Sequence, residues 1–160
     1  MQCPCGSGNN FIQCCDLLIN KNELAQSPEQ LMRSRYSAYA INNAEYIYNT
    51  YADISQASQS ISEIKEWAEE TTWLKLVIHS TSSFVNNHCK STLPTVHFSA
   101  YYRHENKYYQ LTEKSQFCFE REQWRYLNGE VSQSDELAIP GRNSLCFCGS
   151  NKKFKRCCGA

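Results

Sequence analysis

Residues Thr95–Arg103 read TVHFSAYYR. Val96, Phe98, Ala100 and Tyr102 alternate with Thr95, His97, Ser99 and Tyr101, the period-two pattern of a strand with one buried face. The signal extends to both sides. WLKLVIHSTSSF (73–84) is rich in β-branched and aromatic residues, and YYQLTEKSQFCFE (108–120) and QWRYLN (123–128) follow. Turns are expected at His104–Lys107, after residue 120, and at Asn128-Gly129. Ser132–Arg142 reads as a linker. Upstream the period changes. SPEQLMRSRYSAYAINN (27–43) opens with Ser27 as an N-cap, Pro28 at the first helical position and Gln30 completing a capping box. Leu31, Ala38 and Ile41 form one apolar line, with Met32, Tyr36 and Tyr39 beside it. A second short helix is expected over Ala44–Tyr51. A third begins at Ser60, with Glu63 as box partner and Ile61, Ile64 and Ala68 inward. Helices followed by consecutive antiparallel strands make an α+β chain, its helices packed on one side of a curved sheet.

The two ends do not belong to that pattern. Cys3, Cys5, Cys14 and Cys15 recur as Cys146, Cys148, Cys157 and Cys158, each displaced by 143 positions. Gly6-Ser7 recurs as Gly149-Ser150, and Phe11 as Phe154. A pair split by one residue, a gap of eight, then an adjacent pair can supply four thiolates to a tetrahedral zinc. Gly6 and Gly149 allow a tight turn whose backbone N–H groups face the sulfurs. Adjacent cysteines make a strained disulfide, and they fit the usual iron–sulfur spacings poorly. Zinc, two ions per chain, is the expected cofactor; iron–sulfur and redox use are the competing readings. Cys89 and Cys118 fall outside the repeat and read as small buried hydrophobes.

The chain has 160 residues, 41% hydrophobic and 20% charged, which suits one folded domain with small appendages. A formal net charge of zero argues against a protein that coats nucleic acid. The distribution is uneven, however. Arg142, Lys152, Lys153, Lys155 and Arg156 face no acidic residue between 142 and 160, whereas Asp16 is the sole charge in the first 19 residues. The rest carries a net of −4. No apolar run approaches a membrane span. A cysteine at position 3 leaves no charged and apolar leader, so the expected compartment is the cytoplasm, where thiols stay reduced.

CPCGSGNNFIQCC and GRNSLCFCGSNKKFKRCCG resemble the SEC-C motif, a zinc knuckle named for the C-terminus of the translocation motor SecA. The resemblance implies binding to the export chaperone SecB and to ribosomes. The second copy is the nearer match, with Asn151 where glycine is usual and Cys158 where SecA has histidine. The first keeps its ligands without the basic residues. Between them LMRSRYSAY, VHFSAYYR, LTEKSQF and WRYLNGE resemble, in order, the middle region of the YchJ family of bacterial proteins. That resemblance implies a nuclear transport factor 2-like cone, a curved sheet closed by helices. The organisation expected is a knuckle over 1–19, the α+β domain over 20–131, a linker over 132–141 and a second knuckle over 142–160.

A cone can enclose a pocket. Its candidate lining is Arg33, Arg35, Tyr36, Tyr101, Arg103 and Glu113. The bland alternative is that a buried arginine and Glu113 satisfy each other and tie the first helix to the sheet. His79 and His97 lie on strands with no orienting partner evident, so no catalytic residue is assigned. The leading expectation is a zinc-binding, non-enzymatic adaptor. Its basic knuckle would dock through Arg142, Lys152, Lys153, Lys155 and Arg156 on a ribosome, RNA or SecB-like chaperone, with the sheet as a dimer surface. The alternatives are a small-molecule binder or enzyme using the cone, and knuckles that are purely structural staples.

Overall fold

A computed structural model of the chain describes residues 1–83, 85–87, 90–148 and 150–160. Cys89 and Gly149 lie outside the described residues. Helix α1 (Cys15–Ile19) follows a single 3-10 turn at Phe11–Gln13. Helix α2 (Pro28–Ala40) starts as its sequence requires: Ser27 Oγ accepts from Gln30 N at 3.1 Å. The reciprocal bond of the box shifts by one residue, from Gln26 N to Gln30 Oε1 at 2.6 Å. Helix α3 (Ala44–Asn49) is capped by the Asn43 side chain and stops two residues before Tyr51. The sheet pulls the chain out of the helix there: Tyr126 N donates to Thr50 O, and Ala52 N donates to Tyr126 O. A short α4 (Asp53–Gln56), unannounced by the sequence, leads to α5 (Ile61–Glu70), whose N-cap is Ser60.

The strands are β1 (Thr71–Ser82), β2 (Val85–Asn87), β3 (Lys90–Thr92), β4 (Thr95–His104), β5 (Lys107–Glu120) and β6 (Gln123–Leu137). Four of them form an antiparallel sheet in the order β1-β4-β5-β6, and β2 pairs with β3. Both tight connections are two-residue turns with positive φ throughout, Glu105 (47°) with Asn106 (63°) and Arg121 (48°) with Glu122 (61°), the geometry that matches strand twist. One expectation is corrected. Asn128-Gly129 does not close the last strand, and Ser132–Leu137 is not linker. β6 continues past a register shift, pairing as far as Tyr108 with Leu137. Gly129 is there for space: a Cβ would lie 1.8 Å from Glu113 Oε1 and 2.7 Å from the Tyr126 hydroxyl. The exposed, polar run that follows reads as loop because β6 is the sheet's edge and buries little on either side.

Helix α2 sits between two cores, which explains why its apolar residues do not fall on one line. Leu31, Met32 and Tyr36 meet Leu76, Val96, Phe98, Ala100 and Phe117 of the sheet. Ala38 packs instead with Cys3, Cys5, Cys15, Ile47 and Ile64, against which Tyr39 and Ile41 lean. A third cluster, Tyr108 with Cys146 and Phe154, lies over the sheet's other face, since Tyr108 pairs with Arg103 and so points opposite to Tyr102. Phe117 is completely buried in the sheet core. Phe117→Ala should therefore cost about 3–5 kcal/mol, read as a fall in unfolding midpoint in denaturant at unchanged slope.

Candidate metal centres and the polar residues of the middle domain

The two terminal repeats have one geometry. Cys3 N donates to Asn9 O at 2.9 Å, as Cys146 N does to Lys152 O at 2.8 Å. Phe11 N donates to Met1 O, and Phe154 N to Ser144 O. A bridge pairs Gln2 with Asn10 in one and Leu145 with Lys153 in the other. The 3-10 turn Phe11–Gln13 reappears as Phe154–Arg156. Gly8, at φ 82°, corresponds to Asn151 at φ 58°. Asparagine tolerates this left-handed conformation better than other non-glycine residues, so the departure from the motif's glycine preserves the turn.

In each repeat the four thiols lie with their sulfurs within 4.8 Å of one another. Cys5 and Cys14 Sγ are 3.8 Å apart and Cys14 and Cys15 Sγ 3.9 Å; the matching distances are 3.4 Å for Cys148–Cys157 and 3.9 Å for Cys157–Cys158. Four thiolates at about 2.3 Å from a tetrahedral ion stand about 3.8 Å apart, whereas a disulfide brings two sulfurs to about 2 Å. The described cysteines are all free. Each cluster is thus placed to hold a metal ion. Ser7 Oγ reaches Cys14 Sγ at 3.3 Å, and Ser150 Oγ reaches Cys157 Sγ at 3.2 Å. The recurrence of that serine is visible in the sequence; its part in the sulfur cluster is not.

The attachments differ. Cys3, Cys5 and Cys15 are buried in the core shared with α2, α3 and α5. Arg33 Nη1 donates to Cys5 O at 2.8 Å, and Ser37 Oγ lies 3.6 Å from Cys3 Sγ. The C-terminal cluster rests on the sheet: the Tyr108 hydroxyl donates to Cys158 O at 2.7 Å, and its ring meets Phe147 and Phe154 edge-on at 5.1 and 5.7 Å. Gly159 is needed where Phe154 crosses it, since a Cβ would sit 2.4 Å from that ring. Neither Ser37 nor Tyr108 carries a sequence signal for this role.

Thiol ionisation follows the same layout. A hydrogen bond from Cys15, opposed by burial and assisted by Ser7, brings Cys5 down to about 4, while Cys15 is driven up by that bond and by burial. Burial pushes Cys148 up, but bonds from Ser150, Cys146 and Cys157 prevail and bring it down to about 6. Cys118, outside both clusters, is pushed up to about 11 by burial and then by the charge of Glu120.

The six residues considered for a cone pocket do not meet in one cavity. Tyr36 is fully buried under Trp73, their rings edge to face at 5.5 Å. Arg35 Nη1 donates to Ile47 O at 2.7 Å and Thr50 Oγ1 at 2.6 Å, with its guanidinium carbon 4.3 and 4.6 Å from the Tyr51 and Tyr126 ring centres. Glu113 accepts from the Tyr126 hydroxyl at 2.7 Å and from Ser115 Oγ at 2.6 Å. The expected tie between helix and sheet therefore runs through Tyr126, with no direct Arg35–Glu113 ion pair among the described residues. Arg33 pairs with Glu29 at 2.9 Å and turns to the N-terminal cluster. Tyr101 and Arg103 are on the opposite face of the sheet, where Phe147 lies 6.5 Å from Tyr101. A cleft of about 710 Å³ opens elsewhere, between α3 and the β5–β6 turn, with Asn43, Glu45, Arg121 and Arg125 on its walls. His79 Nε2 and Ser99 Oγ are 2.7 Å apart on the outer face, and Ser99 continues to Thr112 Oγ1 at 2.7 Å. Ser99 is buried, which gives that pair a structural use.

Arg142, Lys152, Lys153 and Arg156 are exposed and Lys155 is half-buried; none of the five forms a salt bridge among the described residues. No helix among the described residues is long and apolar enough to cross a membrane.

Comparison with known proteins places these features together. The YchJ middle NTF2-like domain matches residues 27–129, and the SEC-C motif matches 142–160. A UPF0225 protein of Vibrio cholerae is 38% identical over 162 residues, covering 99% of this chain and 100% of the relative. One from Enterobacter sp. is 37% identical, covering 98% and 97%. The solution structure of a SEC-C motif containing protein from Rhodopseudomonas palustris superposes with a TM-score of 0.72 at 34% identity, covering 83% of this chain and 100% of that one. A SEC-C motif containing protein from Psychrobacter arcticus gives a crystal-structure match of TM-score 0.65 at 28% identity over 99% and 96%.

The thiolate is the nucleophile, so the metal-free chain should alkylate first at half-buried Cys148 at pH 7. The rate should fall as pH drops through about 6, and Cys118 should stay slow until pH nears 11. Peptide mapping after a short iodoacetamide pulse checks this; equal labelling of Cys118 and Cys148 would contradict it.

Proposed function

The chain belongs to the YchJ family, and from that premise we propose that it is a two-zinc docking protein whose C-terminal knuckle presents a cationic face to an acidic macromolecular partner. Zinc is favoured by the donors: four thiolates with tetrahedral spacing and a closed shell suit a structural zinc site. The observation that carries the docking assignment is the internal comparison. Two knuckles share one backbone, so the positions where they differ are not needed for holding metal. Asn9, Asn10, Ile12 and Gln13 of the first stand where the second has Lys152, Lys153, Lys155 and Arg156. The first cluster brings its four thiols together with none of those cations, so the shared ligand geometry does not itself call for them. Charges that the fold leaves unpaired are available to a partner.

The partner class follows from the surroundings of the charge. Leu145, 68% exposed, is bridged to Lys153 across the knuckle. An exposed leucine opposite a lysine in a cationic segment suits an acidic protein surface with an apolar spot, such as that of an export chaperone or a ribosomal protein, better than a bare phosphate backbone. The N-terminal knuckle, buried against α2 and uncharged on its turn, acts as a structural staple.

The test is the quadruple charge reversal of Lys152, Lys153, Lys155 and Arg156 to Glu, assayed by co-sedimentation with ribosomes and by pull-down with the export chaperone. Binding should be lost while the zinc content stays the same, and wild-type binding should weaken with added salt. Unchanged binding by the reversed chain would sink the assignment. Capture by ribosomes that survives nuclease and follows Leu145→Ser would identify the protein surface; capture abolished by nuclease would favour RNA.

A further inference from the structure

We propose that Ser37 on helix α2 is an outer donor to the N-terminal thiolates and, with Arg33, makes that centre retain its metal much longer than the C-terminal centre. Ser37 is completely buried, and Cys3 Sγ, 3.6 Å away, is the partner of its hydroxyl. A metal-bound thiolate has no proton to give, so the hydroxyl donates. Such a bond fixes the sulfur's orientation and lowers the charge density that a four-thiolate site must carry.

Arg33 acts on the same loop from the next turn of the helix. Its Nη1 donates to Cys5 O at 2.8 Å while its Nε is held by Glu29 Oε1 at 2.9 Å. Glu29 balances the charge of the guanidinium, so Arg33 works as a brace on the backbone of a ligand and not as a counter-ion. Both contacts come from a helix packed on two cores. Opening the N-terminal cluster therefore means disturbing α2.

The C-terminal cluster has the internal serine but, among the described residues, no hydroxyl from another element on its sulfurs. The Tyr108 contact goes to a carbonyl, Cys158 O. Three C-terminal ligands, Cys148, Cys157 and Cys158, keep partial access to solvent, whereas in the N-terminal cluster Cys14 alone does and Cys3, Cys5 and Cys15 have almost none. A chelator or a competing proton reaches the C-terminal sulfurs first. One metal geometry is thus built in two grades of lability, set by what lies outside the knuckle.

The experiment loads the full chain with two zinc ions and mixes it with excess pyridylazoresorcinol, following the coloured complex. Release should be biphasic, one equivalent per phase, with the slow phase at least about tenfold slower. Cys148→Ser with Cys157→Ser should remove the fast phase. Ser37→Ala should accelerate the slow phase about tenfold and leave the fast phase unchanged, with an unaltered circular dichroism spectrum. Arg33→Gln gives the same readout should Ser37→Ala fail to fold. A single phase for both metals, loss of the slow phase in the C-terminal variant, or a folded Ser37→Ala or Arg33→Gln chain with an unchanged slow phase would each overturn the proposal. None of these outcomes depends on the docking partner.

Discussion

A buried polar side chain must find a hydrogen-bond partner or destabilise the fold, and helix α2 buries three in a row of four residues. Ser34, Arg35 and Ser37 have almost no exposure. Ser34 meets the Tyr46 hydroxyl at 2.7 Å, Arg35 meets Ile47 O and Thr50, and Ser37 meets Cys3. The first two find their partners along α3 and its C-terminal cap, the third in the N-terminal knuckle. Satisfying the helix thus fixes α3 and the N-terminal knuckle, and the Tyr126 ring over Arg35 brings in β6 and, behind it, Glu113. An all-apolar helix would pack as tightly but would not dictate which neighbour sits where. Here the partners' positions are prescribed.

That prescription separates the two knuckles structurally. The first is woven into the core at the same helix and ends in α1, so the chain continues from its last ligand into the body of the protein. The second sits on the outer face of the sheet, held by an aromatic contact around Tyr108 and one hydroxyl–carbonyl bond. Its cations look outward because the sheet side is taken up by Phe147 and Phe154. A motif used twice allows a comparison within one molecule: the shared residues bring the four thiols together, and the differing ones are those on which the docking proposal rests.

Much of this was legible from residue order. Ser27-Pro28 and Ser60 announced two helices because caps are local hydrogen bonds, and TVHFSAYYR announced β4 because alternation reports a half-buried face directly. The cysteine repeat announced both clusters, since metal ligands in a small loop must be near in sequence. Other features were not legible. The extension of β6 through Ser132–Leu137 lacks alternation, as an edge strand with both faces wet has no reason to show it. Arg33, Arg35, Tyr101, Arg103 and Glu113 looked like one pocket's worth of polar residues, yet they serve three places: the N-terminal knuckle, the Tyr126 knot, and the outer face.

By itself the sequence determined the α+β order, the helix starts and the eight paired thiols, all consequences of interactions reaching no farther than about a dozen residues. The tertiary structure decided which side of α2 meets which core, that Tyr126 stands between Arg35 and Glu113, and that one knuckle is buried while its twin rides on the sheet. Those outcomes depend on contacts between residues such as Cys3 and Ser37 or Tyr108 and Cys158. A hydroxyl's partner is chosen by where distant segments pack, and no local pattern carries that information.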